Sequence, residues 1–401
     1  MFGLFCLSKR RASGLLLLLV AVLGLLSAAT QLAMAQYTES VLYNFKGIPD
    51  GAYPYDGLVG DKKGNLYGTT NAGGEFNQGT VFVISKTGAE KVLYSFSGGA
   101  DGAYPQGWLV LDKQGNLFGT TYFGGSYINC TYGCGIVFEV APDGTETVLH
   151  RFGGGTDGAY PAAGLIRDKQ GNFYGTTLGG GSPNCGCGTV FQLTPDSAET
   201  ILYSFNGGVD GSTPVGGLVR DTNGNLYGTT PYGGTFNQGT VFEVSAAGVK
   251  KLLYGFSGGV DGGYPVGTLI RDRNGKFYGT TAFGGTDGKG TVFGLTGEGV
   301  ETVLYSFQGG PEDGANPSGS LATDKQGNLY GTTSSGGTNM VDGIVFEVPP
   351  NGVETVLYKF QGGNDGAAPT TSLLRSRTGN FYGTTGVGGT NNFGTVFKLM
   401  P

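Results

Sequence analysis

Side chains able to do chemistry are few in this 401-residue chain and unevenly placed. The one histidine, His150, lies in Val148-Leu-His-Arg-Phe152. Imidazole is the usual general base. Tyr94, Tyr203 and Tyr254 stand at the matching place in similar segments, so the plainer reading is a substitution within a strand. A single His cannot build a His-based metal cage and leaves only one candidate for a Ser-His-Asp triad. Asp precedes Gly at Asp50, Asp101, Asp157, Asp210, Asp261, Asp313 and Asp365. Such a series could bind cations or sugars, but Asp-Gly also starts turns. Acid–base catalysis needs two carboxyls in different environments, and repeated copies share one environment. A second series, Asp61, Asp112, Asp168, Asp221, Asp272 and Asp324, opens D-x-x-G turns, with Ser376 in the seventh place.

Cys130 and Cys134 lie in Asn129-Cys-Thr-Tyr-Gly-Cys134, and Cys185 and Cys187 in the corresponding later loop. Four thiols could hold zinc; in an exported chain they pair as disulfides. Three pairings exist in principle. The local pair Cys130–Cys134 is favoured, then Cys185–Cys187, with pairing across the two loops as the alternative. No metal and no cofactor is expected. Around the first Cys loop gather Tyr104, Trp108, Tyr122, Phe123, Tyr127 and Tyr132. Exposed rings beside polar residues suit flat polar ligands such as glycans; they also simply cover a longer loop. Trp108, the lone tryptophan, stands where other repeats have Gly57, Gly164 and Gly217, which puts it near the axis or lining a central opening.

The elements that position these groups come from one motif. Asn65-Leu-Tyr-Gly-Thr-Thr70 returns, with small changes, around Phe118, Tyr174, Tyr227, Tyr278, Tyr330 and Tyr382, every 51–56 residues. That period, filled with short β-type segments, is the mark of a propeller blade. One period holds four: Gly217–Asp221, Asn225–Thr230, Gly239–Val244 and Lys251–Phe256. β-Branched and aromatic residues fill them, Gly, Asp and Asn bound them, and nothing between is long enough for a helix. The start, Glu39–Phe45, reads as a fourth strand, and the end, Gly394–Leu399, as a third. Pairing the two completes the last blade and removes an open edge. The expected fold is all-β: a seven-bladed propeller of four-stranded antiparallel blades, closed by the N-terminal strand, with one domain over residues 36–401.

Residues 1–35 read as a signal peptide. Lys9-Arg10-Arg11 precede the apolar Leu15–Leu26, and Ala33-Met34-Ala35 forms an A-x-A cleavage site. The apolar run is short for a membrane span, so no stable span is expected after cleavage. Net charge is −6 and becomes more negative without those three basic residues. An acidic chain lacks the basic footprint of nucleic-acid or anionic-membrane binding.

The run D-x-x-G-N-[LF]-[YF]-G-T-T…G-G…G-T-V-F resembles the Gloeo/Verruco (GloVer) tandem repeat of secreted bacterial proteins, over nearly all of the mature chain. The resemblance implies an exported, periplasmic or extracellular propeller and carries no activity with it. D-x-x-G-N-L-Y alone is also similar to turns in NHL-type and lactonase-type propellers, which a tight turn suffices to explain. Near-perfect repetition without a single-copy polar constellation points to a monomeric, non-enzymatic binder of glycans or proteins at the cell envelope. The alternative is a propeller-scaffold enzyme on carbohydrate: a glycosidase, polysaccharide lyase or lactonase.

Overall fold

The computed structural model describes residues 37–401. The expected signal peptide therefore lies outside the described residues. Thr38–Met400 forms one compact unit of seven consecutive antiparallel blades, four-stranded except that the first strand of blade six is split into Gly314–Pro317 and Ala322–Thr323; Gly51–Ala52 and Ala72–Gly73 pair as a small extra sheet. Blade four is representative, with strands Val219–Arg220, Leu226–Thr230, Thr240–Val244 and Lys250–Gly255, each bonded to the next. The outer strand of blade seven is Thr38–Asn44, antiparallel to Thr395–Met400, with Val41 opposite Phe397. Two short 3-10 turns, Gly208–Asp210 and Gly363–Asp365, are the helical segments among the described residues.

The innermost strand is shorter than its sequence predicts, two residues rather than five in blade four. The missing ladder is replaced by bonds to the next blade. Gly217 N–H donates to Thr268 Oγ1 at 2.7 Å, and Thr268 N–H to Ser320 Oγ at 3.0 Å. Thr332 Oγ1 donates to the Thr371 carbonyl at 3.0 Å, and Thr384 Oγ1 to the Asp56 carbonyl at 3.0 Å. Near the axis, buried backbone groups thus find partners in neighbouring blades.

The recurring Gly-Thr-Thr answers to packing. A Cβ on Gly228 would stand 2.7 Å from the Phe242 ring and 3.0 Å from Leu218. The same crowding, by the third-strand Phe and the Leu at or just before the first strand of its own blade, awaits a Cβ on Gly68, Gly119, Gly175, Gly279, Gly331 and Gly383. The final Thr bonds across the strand pair, as Thr230 Oγ1 does to Thr240 Oγ1 at 2.7 Å. The preceding Tyr finds the polar partner that a part-buried hydroxyl requires: Tyr227 donates to Asp221 at 3.1 Å, Tyr174 to Asp168 at 3.0 Å. The D-x-x-G aspartates are turn residues, Asp221 also accepting from the Asn223 and Asn225 amides.

Blade joins to blade through phenylalanines. The Phe just after each outer strand meets the third-strand Phe of the next blade edge-on: Phe96 with Phe138 at 5.1 Å, Phe205 with Phe242 at 5.1 Å. Phe45 with Phe82 and Phe360 with Phe397, both at 5.1 Å, carry the same contact across the closure. These rings are fully buried. Each contributes about 1.5–3 kcal/mol by burial, and each pair about 0.5–1.5 kcal/mol more.

Candidate functional site

Blade two breaks the regularity. Its first strand runs Ala103–Leu111 and its second Leu117–Phe123, both longer than in most blades. The loop that follows is tied by the Cys130–Cys134 disulfide, and the equivalent loop of blade three by Cys185–Cys187. The local pairing therefore holds over the cross-loop alternative. Tyr127 leans the loop back onto blade one, its hydroxyl donating to the Gly98 carbonyl at 2.6 Å.

Between blades one and two this leaves a cleft of about 640 Å³. Tyr104, Tyr122, Phe123, Tyr127 and Tyr132 line it with Asn71, Gln78, Ser97 and Gln106. Phe123 is the hub, in ring contact with Tyr122 at 4.6 Å, Tyr132 at 5.6 Å and Tyr104 at 5.8 Å. Tyr122 also stacks on Tyr160 of the following loop at 5.3 Å. Burial, then the neighbouring Tyr160, raises the Tyr122 hydroxyl above the ordinary tyrosine range. Tyr127 and Tyr132 are the exposed rings, at 51% and 68%. Tyr104 is held at φ 53, its amide donating to the Gln78 carbonyl at 2.8 Å. No carboxylate, imidazole or ammonium belongs to the lining.

The structure thus brings five of the six sequence-predicted rings together and leaves Trp108 apart. Trp108 lines the axial opening, where its indole lies flat over glycines: a Cβ at Gly164 or Gly217 would come within 2.5 and 2.6 Å of it. The larger cleft also faces blade one, through Asn71, Gln78 and Ser97, beyond the Cys130–Cys134 loop around which the sequence groups the rings. A smaller one, about 310 Å³, lies between blades two and three, lined by Asn129, Tyr160, Ser182 and Pro183. Asn71, Gln78 and Tyr160 escape sequence reasoning because they belong to neighbouring repeats.

Two single-copy groups lie outside this cleft. Asp56 is the one carboxylate lining the axial opening among the described residues, at a place other blades give to Gly107, Ala163, Gly216, Gly267, Gly319 and Thr371. Burial pushes its carboxyl up to about 6, against hydrogen bonds from the Gly107 amide and Thr69 hydroxyl. His150, on the outer strand of blade two, lies 3.4 Å through Nε2 from Asp157 Oδ1. Glu199 of blade three joins them.

Fold and cleft together define a closed seven-bladed propeller whose departures from symmetry gather around blade two. The chain belongs to the Gloeobacter/Verrucomicrobia repeat family, whose pattern matches residues 28–133, 126–274 and 253–401. No curated relative matches it in sequence. Similar solved structures include the extracellular domain of a candidate one-component system from B. thetaiotaomicron. That likeness has a TM-score of 0.53 and 9% identity, over 88% of this chain and 40% of the other. A candidate 6-phosphogluconolactonase from Bacteroides uniformis ATCC 8492 is similar at TM-score 0.50 and 16% identity, over 79% of this chain and 86% of the other. At these identities the likeness is one of fold alone. Among the described residues, no helix is long and apolar enough to cross a membrane.

Proposed function

We propose that the protein is an exported, non-enzymatic binding propeller whose cleft between blades one and two takes a neutral carbohydrate chain. One observation carries this reading: aromatic rings and side-chain amides converge on the cleft without any ionised group. Sugar rings offer flat C–H faces to aromatics and hydroxyls to amides. Hydrolysis of a glycosidic bond ordinarily needs two carboxyl groups flanking it, and the lining supplies none. Tyr127 and Tyr132 form the accessible wall, and Gln78, Gln106 and Asn71 supply donors and acceptors.

The test is an array of neutral polysaccharides, with calorimetry on any that bind. Tyr127→Ala with Tyr132→Ala should weaken binding by about 1–3 kcal/mol per ring lost, by analogy with base stacking, while the melting temperature holds. Absence of any carbohydrate ligand, or equal affinity in the folded double variant, overturns the proposal. The second reading, an enzyme acting on carbohydrate, has Asp56 as its one specific support, a single-copy carboxyl with a raised pKa at the axis. Product release that Asp56→Asn abolishes would favour it.

A further inference from the structure

At six blade interfaces the outer-strand Tyr donates its hydroxyl to the Asp of the following Asp-Gly loop. Tyr94 reaches Asp101 at 3.0 Å, Tyr254 reaches Asp261 at 3.0 Å, and Tyr358 reaches Asp365 at 3.0 Å. The seventh, between blades two and three, has His150 instead. Its Nε2, an Asp157 oxygen and a Glu199 oxygen all lie within 4.8 Å of one another. His150 Nε2 is shut away from solvent without a hydrogen-bond partner, and so is Glu199 Oε1, as is the Oε1 of the equivalent Glu39, Glu90, Glu146, Glu301 and Glu354. A buried polar atom left unpaired costs about 1–3 kcal/mol, and among the described residues only this interface sets an unpaired nitrogen beside the recurring Glu and Asp.

We propose that His150, Asp157 and Glu199 bind a divalent transition-metal ion, with zinc the best fit, as a clasp between blades two and three. One imidazole and two carboxylates suit zinc-like ions; calcium and magnesium prefer oxygen-only sites with more ligands. Zinc bonds of about 2.0–2.2 Å place tetrahedral ligand atoms about 3.3–3.5 Å apart. The His150–Asp157 pair already has that spacing, at 3.4 Å, so Glu199 supplies the closing movement. Three protein ligands leave the fourth position to water.

The surroundings hold the ligands in place, as metal sites require. The second Asp157 oxygen accepts from the Gly153 amide, which fixes the carboxylate. The His150 ring stands edge-on to Phe152 at 4.8 Å. Asn129, beside the disulfide, donates to the Gly153 carbonyl at 2.6 Å, and the Cys130–Cys134 sulfurs pack on Gly154. The blade-two loop thus buttresses the segment carrying Asp157. The ring also accepts a cation at the corresponding place: Lys250, where Glu199 would align, sets its ammonium 2.6 Å from Asp210 Oδ1.

The test uses the purified, oxidised chain stripped with a chelator and titrated with zinc, with cobalt as a spectroscopic probe. One equivalent of zinc should bind, raise the melting temperature, and give cobalt the absorption of a four-coordinate N/O site. Calcium at the same concentration should do neither. His150→Tyr restores the residue of the other interfaces and should fold, yet bind zinc at least about tenfold more weakly. Glu199→Gln should do the same. Failure of zinc to bind stoichiometrically, or equal binding by both folded variants, overturns the proposal. So does zinc uptake that depends on reduced cysteines.

Discussion

Single residues show where the repeat tolerates change and where it does not. Trp108 occupies space that Gly164 and Gly217 leave open. Gly164→Ala places a methyl against the indole, and overpacking of that kind costs about 1–3 kcal/mol. Chemical denaturation should show that loss in the parent and almost none in a Trp108→Gly background, because contacting sites are not additive. An equal loss in both backgrounds would mean that the backbone at residue 164, and not the indole, sets the limit. His150 carries the opposite lesson. It looks in sequence like a conservative exchange for Tyr, yet it exchanges a hydroxyl donor for a ligating nitrogen beside two acids.

Outer strands carry a second pattern at their start. Glu39, Glu90, Glu146 and Glu301 have their carboxyls raised to about 7, and Glu354 to about 8. Burial is the main cause in each; the second is the Asp of the preceding blade's loop, such as Asp50 for Glu90 and Asp313 for Glu354. Lys250 replaces the acid in blade four and pairs with Asp210. The folded chain therefore holds these protons more tightly than the unfolded one, from the ordinary 4.5 upward. Their stabilisation is fully present below that value and is lost as pH rises through 7 to 8. The turn aspartates with lowered carboxyls, such as Asp61, Asp168 and Asp221, act oppositely but only at more acid pH. The melting temperature should thus fall between about pH 5 and pH 8. Replacing these five acids by Gln, which keeps a donor and removes the titration, should flatten the profile. A parent profile that rises over this range would contradict the assignment.

For the whole molecule, closure is the decisive feature. The strand Thr38–Asn44 completes blade seven and brings Phe45 onto Phe82, so it carries both an edge and an inter-blade contact. Deleting residues 36–46 should expose the edge of Thr395–Met400 and strip Phe82 of its partner. Scanning calorimetry should show a large drop in melting temperature, with aggregation through the open edge. A deletion variant as stable and monodisperse as the parent would show that the ring does not depend on its closing strand.

Period, strand content and complementary half-blades at the two ends were legible in the sequence because each blade solves one packing problem with the same residues. The Gly-Thr-Thr and Phe positions repeat for that reason, and local pattern fixes them. The two Cys pairs were legible too, being local, and five rings of the cleft stood close enough along the chain to be grouped. What the tertiary structure decided lies between blades. Asn71 and Gln78 reach the cleft from blade one, Tyr160 reaches Tyr122 from the loop after blade two, and Trp108 turns to the axis. His150, Asp157 and Glu199 span a blade boundary, and Asp56 is singled out only when seven equivalent positions face one opening. A repeat records what each blade needs for itself. Contacts between different copies depend on the curvature of the ring, which is set by the accumulated packing of all seven.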